Sequence, residues 1–417
     1  MAICIEGNAS FLEEVNLMGR QRANPPCPPF AKGGIHAPSE KGGTNAPSGK
    51  GREGGKISPP GLVLMTADPI GGVWNYALEL ARGLSVHGVQ VALATMGQPL
   101  SPQQQREVAE EGNVTLYESG YRLEWMDDPW RDVELSGEWL LSLEAELKPD
   151  LVHLNGYVHA ALPWRSPCLV VAHSCVLSWY QAVRGKEAPQ RLQEYRDRVT
   201  RGLAAAGLVA APSAAMLEAI RSIYLPLPDA QVVYNARART RFRPGKKEDF
   251  ILAVGRVWDD AKNIAALVRN AYDLPWPVYV AGEINRPDGG SAAVEGVNRL
   301  GVLAPDALAP WYAAASVYAL PARYEPFGLT VLEAALSGCA LVLGDIPSLR
   351  ELWDGAAVFV DPESPEALQG ELCALCADRN RQARLGEKAL ERSRSFSAAR
   401  MTAGYLDLYD RLRGRAE

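Results

Sequence analysis

From Gly61 onward the chain alternates short apolar runs with longer segments whose apolar residues return every three or four positions. Leu62 to Thr66, Val89 to Thr95, Val114 to Tyr117, Leu151 to Leu154, Cys168 to Ala172, Leu208 to Ala211 and Gln231 to Tyr234 read as strands. Val73 to Val86 has helical spacing, and helical segments separate most of the other runs. Strands that are apolar throughout are covered on both faces, and the intervening helices make such a sheet parallel. A polar joint follows, with Pro226, Pro228 and the segment from Arg237 to Lys247. The alternation then restarts with strands at Phe250 to Val254, Val278 to Ala281, Ser316 to Leu320, Ala340 to Leu343 and Ala357 to Val360. Helices are expected at Asn263 to Ala271, Pro305 to Ala314, Pro365 to Phe396 and Ala398 to Arg413, with a turn-rich stretch from Pro287 to Gly290.

This pattern predicts an α/β protein of two doubly wound, Rossmann-like domains facing a cleft, at residues 61–235 and 236–397. A last helix, 398–417, is expected to pack back on the first domain. Ligands of such sheets bind beyond the carboxyl ends of the strands, which here means the cleft. Residues 1–60 stand apart. They are rich in Gly and Pro, and Lys32-Gly33-Gly34-Ile35-His36-Ala37-Pro38-Ser39 recurs as Lys41-Gly42-Gly43-Thr44-Asn45-Ala46-Pro47-Ser48. Such a segment buries too little surface to offset its ordering entropy and is expected to be disordered. A disordered or spuriously translated extension is a better reading of it than a basic tail for an acidic partner.

Composition narrows the class. The 417 residues are 47% hydrophobic and 22% charged, with a net charge of −6. Those are the proportions of an ordinary globular protein, without the basic footprint of a nucleic-acid binder. Seven scattered cysteines suit a reducing compartment, and Cys373-x-x-Cys376, without a second pair or a nearby histidine, reads as helix packing rather than a metal site. Glu6, Glu13 and Glu14 interrupt any secretory signal, and Ser166 to Val183 is too polar to span a membrane. The expectation is a cytoplasmic protein. Arg191, Arg196, Arg198 and Arg201 leave peripheral membrane contact open, but Glu194 and Asp197 between them favour a solvated helix face.

The candidate chemistry centres on Pro321 to Ala335. A buried strand breaks at Pro321, and a helix is expected to open just after Pro326 with Gly328 and Thr330 in its first turn, where unpaired amides attract anions. Glu325 lies in the turn, and helical spacing puts Glu333 on one face with Leu329 and Thr330, looking into the cleft. Arg256 and Lys262 bracket the loop after Phe250 to Val254, where two cations would neutralise a diphosphate. Gly71-Gly72 follows the first strand and lets backbone approach a phosphate or sugar closely. His153 and His173 end two strands of the first domain, His173 being the stronger candidate for the cleft. Between Tyr121 and Trp139 an aromatic and acidic stretch, Trp125, Asp127, Asp128 and Trp130 included, reads as a long loop that either stacks on sugars or packs on the domain. No Asp-x-Asp motif occurs, so no metal ligand is assigned.

The run Glu325-Pro326-Phe327-Gly328-Leu329-x-x-Leu332-Glu333-Ala334 resembles the donor-binding signature of glycosyltransferase family 4, whose members have the GT-B fold and mostly retain anomeric configuration. Gly71-Gly72, His173, Ala211-Pro212-Ser213, Asn235, Gly255-Arg256, Lys262 and Gly344-Asp345-Ile346-Pro347 also fit, and the resemblance runs from about Gly61 to the C-terminus. It implies that Arg256 and Lys262, with the amides of Gly328, Leu329 and Thr330, hold the diphosphate of a nucleotide-sugar donor. Glu333 would then accept from the ribose hydroxyls, Glu325 would face the transferred sugar beside Phe327, His173 would touch the sugar, and Gly72 would pack on the phosphates. The implied activity is retaining, metal-independent glycosyl transfer without a cofactor, to a glycan, lipid-linked or small-molecule acceptor that the sequence does not name. A sugar epimerase, a phosphorylase or a non-catalytic nucleotide-sugar-binding module on the same fold are the alternatives. The nucleotide base is expected to be read by loop backbone near Glu283 and Leu300. Two positions depart from the family: Asn263 follows Lys262, and Ala236 follows Asn235, where Gly is usual.

Overall fold

A computed structural model describes residues 59–286 and 290–415. The expected disorder of residues 1–60 therefore concerns a segment of which 1–58 lie outside the described residues, as do the turn residues 287–289. Among the described residues the first sheet has seven strands: β1 (Leu62–Ala67), β2 (Gln90–Thr95), β3 (Val114–Glu118), β4 (Leu151–Leu154), β5 (Cys168–Val171), β6 (Leu208–Ala211) and β7 (Ala230–Val232). Their spatial order is β3-β2-β1-β4-β5-β6-β7, and every pairing is parallel. The second sheet has six: β8 (Glu248–Val254), β9 (Val278–Ala281), β10 (Asn298–Gly301), β11 (Ala315–Leu320), β12 (Ala340–Gly344) and β13 (Val358–Val360). They run β10-β9-β8-β11-β12-β13, again all parallel.

The helices that cross between strands of the first sheet are α1 (Gly72–Ser85), α2 (Pro102–Ala109), α3 (Trp130–Leu147), α4 (Val176–Arg184), α5 (Gln193–Ala205) and α6 (Ala214–Ile223). Those around the second are α7 (Ile264–Asn270), α8 (Pro305–Ala314), α9 (Leu329–Leu336), α10 (Pro347–Trp353), α11 (Pro365–Ala377) and α12 (Arg379–Ser393), and the last helix is α13 (Ala398–Arg413). Side chains along β1 show why the strands lack polar alternation. Val63, Met65 and Ala67 enter one core with α1, while Leu64 enters another with α3 and α5. Both faces are covered, as the continuous apolar runs require.

α13 follows the helices of the second sheet but packs under the first. Met401, Tyr405, Leu408, Tyr409 and Leu412 join the core of α1 and β1. Their polar tips meet His153: its Nδ1 lies 2.7 Å from the Tyr409 hydroxyl and its Nε2 3.1 Å from that of Tyr76. His153 is thus completely buried under the sheet and does not reach the cleft.

Three elements differ from the sequence reading. β10 is an edge strand with mostly exposed residues, so no apolar run marks it. The stretch from Tyr121 to Trp139 is not one long loop, because α3 begins at Trp130. Val133, Leu140 and Leu143 form its buried stripe, and the surrounding acids mask that period in the sequence. Trp130 and Trp139 pack against the core and Trp125 remains exposed. The segment from Pro365 to Phe396 is broken at Asp378, whose side chain accepts from the Arg381 amide and caps α12. Cys373 and Cys376 sit on α11 as free thiols, and burial pushes Cys376 up to about 12. No described helix is long and apolar enough to cross a membrane.

Leu408→Ala should cost roughly 2–5 kcal/mol of stability, and Tyr409→Phe, which strips His153 of a partner, about 1–3 kcal/mol. Val86→Ala, at a position 83% exposed, should stay within about 0.5 kcal/mol. Urea denaturation ranks the three. Burial also holds His153 neutral, its pKa lowered from 6.5 to about 3. Between those values the unfolded chain binds more protons than the folded one, so this contribution to stability is lost as pH falls through that window. His153→Gln should flatten the fall by up to about 1.4 kcal/mol per pH unit, read from urea midpoints between pH 6 and 4.

Candidate active site

Strand order reverses between β1 and β4 in the first sheet and between β8 and β11 in the second. These are the switch points at which doubly wound sheets open a crevice. The loops after β1, β4 and β5 supply Asp68 to Gly71, Asn155 and His173. The loops after β8 and β11 supply Gly255 to Lys262 and Pro321 to Gly328. The two sets meet: a Cβ at Gly72 would lie 3.5 Å from Cδ1 of Leu329. Gly72 opens α1 and Leu329 opens α9, so two helix N-termini with unpaired amides face one another.

α9 begins at Leu329 rather than just after Pro326, because Gly328 takes a left-handed conformation with φ of 85° and caps the helix. A Cβ there would come within 3.0 Å of Val331. Phe327 is buried with its ring edge-on to Phe396, 5.5 Å between centroids, and so supports the turn from behind. Thr330 Oγ1 accepts from the Tyr318 hydroxyl at 2.8 Å.

Beside this helix start Lys262 Nζ donates to Glu325 Oε2 at 2.6 Å, the two side chains 19% and 11% exposed. Arg256 donates to Asp259 at 2.7 Å, and its guanidinium lies 5.3 Å from the centre of the Trp258 ring. Burial opposes ionisation of Asp259, but Arg256 and Lys262 overcome it and hold the carboxyl below its usual range. Asn263 explains one departure from the family. It takes the left-handed backbone with φ of 52°, which asparagine tolerates. Its Nδ2 then donates to the Pro321 and Pro362 carbonyls at 2.9 and 2.8 Å, and its Oδ1 accepts from Arg323 at 2.7 Å. Asparagine in place of Gly thus ties the Lys262 loop to the Glu325 loop. Ala236 has no positive φ, so nothing at that position demands Gly.

On the first sheet's side, His173 shares a 2.8 Å hydrogen bond with Asn155 Oδ1 and packs edge-on to Tyr76, 4.3 Å between centroids. Burial lowers its pKa to about 3, so the ring is neutral at ordinary pH. Asn155 is itself fixed by Thr66, its amide donating to Oγ1 at 2.9 Å and its Nδ2 to the carbonyl at 2.6 Å. Asp68 is raised to about 6, burial outweighing the Ile70 amide, Arg256 across the cleft and the Trp125 indole.

Glu333 does not lie open on the face of Leu329 and Thr330. It is 5% exposed, and its Oε1 accepts from Arg237 Nε at 2.6 Å. Sequence reasoning missed Arg237, which reads as one more charge in a polar joint. It also missed Glu79, whose only signal is a carboxylate on the apolar face of α1.

A further set of contacts tethers the loops across the cleft. The Tyr324 hydroxyl lies 2.9 Å from Ser178 Oγ and accepts from the Cys175 amide at 3.2 Å. Ser213 donates to the Pro326 carbonyl at 2.6 Å, and the Glu351 carboxylate accepts from the Ala214 and Ala215 amides, each at 2.8 Å. Arg184 pairs with Asp260 at 2.9 Å. Tyr324, immediately before Glu325, anchors the carboxylate's loop in the first sheet's domain.

Two parallel α/β domains whose switch points bring two helix N-termini, two cations and a carboxylate together are the architecture of a GT-B glycosyltransferase. Sucrose-phosphate synthase from Thermosynechococcus elongatus superposes with a TM-score of 0.71 at 19% identity, covering 85% of this chain and 99% of that one. Anabaena HepE, solved in complex with UDP-glucose, does so at 0.65 and 14% identity, covering 83% and 98%. Residues 70–238 match the family described as Glycosyltransferase Family 4, and residues 248–378 the glycosyl transferases group 1. The D-inositol 3-phosphate glycosyltransferase of Nocardia farcinica is 26% identical over 387 residues, 81% of this chain and 84% of that protein. The enzyme of the same name from Xylanimonas cellulosilytica is 41% identical over 104 residues, a match that spans 25% of that protein's length. The chain belongs to the group 1 glycosyltransferases of family 4, and is a transferase of carbohydrate biosynthesis.

The tethers predict a measurable closure. Tyr324→Phe combined with Glu351→Ala removes side-chain partners of three backbone amides, each such loss costing about 1–3 kcal/mol when buried. The double variant should show a larger radius of gyration by small-angle X-ray scattering and faster trypsin cleavage in the 237–247 joint. Scattering curves that superpose on the wild type would contradict the tether.

Proposed function

We propose that the protein transfers a sugar from a nucleotide-diphospho-sugar to a hydroxyl acceptor with retention of anomeric configuration and without a metal ion. In this reading residues 61–235 form the acceptor side and 236–397 the donor side. The observation that carries it is the Lys262–Glu325 pair at 2.6 Å beside the α9 N-terminus. Departure of a nucleoside diphosphate needs positive charge at the phosphates and negative charge near the anomeric carbon. Lys262, Arg256 and the first-turn amides of α9 and α1 supply the first, in the place a metal would otherwise take. Glu325 supplies the second. Neutral His173 donates its Nε2–H to Asn155 Oδ1 and keeps Nδ1 to accept one hydrogen bond from the transferred sugar. Same-face attack leaves the departing phosphate to take the acceptor proton, so no side-chain base is assigned.

The acceptor approaches from the first sheet's loops. Asp68, exposed Trp125 and the Gly71-Gly72 turn stand there, a carboxyl and an aromatic edge suited to a polyol or sugar. The relatives named for inositol 3-phosphate make that compound a sensible member of an acceptor panel.

Glu325→Ala and Lys262→Ala should each lower turnover by roughly 10²–10³-fold, with far-UV circular dichroism unchanged. The assay is release of free nucleotide from a panel of UDP-, GDP- and ADP-sugars with and without acceptors, in buffer containing EDTA. Release that requires an acceptor and survives EDTA is the expected result. Unchanged release in both variants, or release that stops with EDTA, would overturn the reading.

A further inference from the structure

Arg237 belongs to the joint between the sheets, yet its side chain is only 3% exposed. Its Nε donates to Glu333 Oε1 at 2.6 Å, and its guanidinium lies 5.3 Å from the centre of the Phe242 ring. The next residue, Ala238, donates its amide to Glu79 of α1, 2% exposed, at 3.1 Å. Burial raises the Glu79 pKa, and Arg237 leads the groups that oppose the rise, ahead of Arg82 and the Ala238 amide. The segment at Arg237 therefore meets a carboxylate from each of the two helices whose N-termini face across the cleft, Glu333 through the Arg237 guanidinium and Glu79 through the Ala238 amide.

We infer that Arg237 is a positioning residue for nucleotide recognition. It fixes the Glu333 carboxylate, which also lies against the buried Tyr312 hydroxyl, for a ribose hydroxyl, so that discrimination between ribo- and deoxyribonucleotides depends on a residue that touches no substrate. Glu79 extends that dependence to α1. The inference rests on the donor reading above, in which Glu333 serves the ribose. A pair kept only for stability behaves differently: buried ion pairs are commonly replaceable by apolar side chains, and their loss changes stability without changing ligand preference.

The test measures binding of UDP, GDP and ADP and of their 2′-deoxy and 3′-deoxy counterparts to the full chain by isothermal titration calorimetry. Wild type, Arg237→Met and Arg237→Lys are compared. Wild type should prefer one ribonucleotide over at least one of its deoxy counterparts by roughly tenfold, the size of one well-placed hydrogen bond. Arg237→Met should reduce that preference to within about twofold, and Arg237→Lys, which keeps the charge but not the planar geometry, should fall between. Where Arg237→Met does not fold, the lysine variant decides alone. A variant that melts earlier but keeps the full preference assigns Arg237 to stability and overturns the inference while leaving the donor reading intact. Wild type that binds none of the nucleotides overturns the donor reading and the inference with it.

Discussion

The structure depends on two helix N-termini, those of α1 and α9, being held face to face by two separate sheets. Each brings amides that have no partner within its own helix, and each begins after a glycine of positive φ, Gly71 or Gly328. Neither sheet makes the arrangement alone. It exists because both strand orders reverse beside their first strands, β1 and β8, and because the crevices so formed open toward one another. The charged side chains then have fixed places: Lys262 and Arg256 at the mouth, Glu325 beside them, neutral His173 opposite.

Holding two domains at this distance takes contacts that are not themselves chemical. Tyr324 reaches from the Glu325 loop to the N-terminus of α4, Glu351 of α10 caps α6, and α13 carries the end of the chain back under the first sheet. Arg237 adds a buried charge between them. A guanidinium removed from water needs a carboxylate, so Arg237 and Glu333 hold each other's orientation, and the Ala238 amide beside them holds Glu79. Glu325 and its neighbours thereby sit on backbone that is fixed from both sides.

Much of this was legible in the sequence. Continuous apolar runs disclosed strands covered on both faces, and the Glu325 to Ala334 string with Gly71-Gly72, Arg256 and Lys262 marked residues that the fold brings to the facing switch points. What stayed hidden has a common cause: it depends on pairings distant in the chain or on elements with no buried face. β10 has no apolar run because it is an edge. Glu333 gives no sign of its burial because its partner, Arg237, lies in a joint that reads as solvent-exposed. Asn263 is visible as a departure, but its hydrogen bonds to Pro321 and Pro362 belong to the folded loops alone. His153 and His173 both read as strand ends, but His153 lies inside β4, bonded beneath the sheet to Tyr76 and to Tyr409 from the far end of the chain, while His173 lies beyond β5.

The central claim is that the facing N-termini of α1 and α9 form a diphosphate site flanked by Arg256 and Lys262. A crystal structure of the protein with a bound nucleoside diphosphate tests it directly. The account predicts phosphate oxygens within hydrogen-bond distance of the Leu329 or Thr330 amides and of Lys262, with Gly72 against the phosphates. A nucleotide bound elsewhere, or with its phosphates turned away from Lys262 and the start of α9, would contradict it.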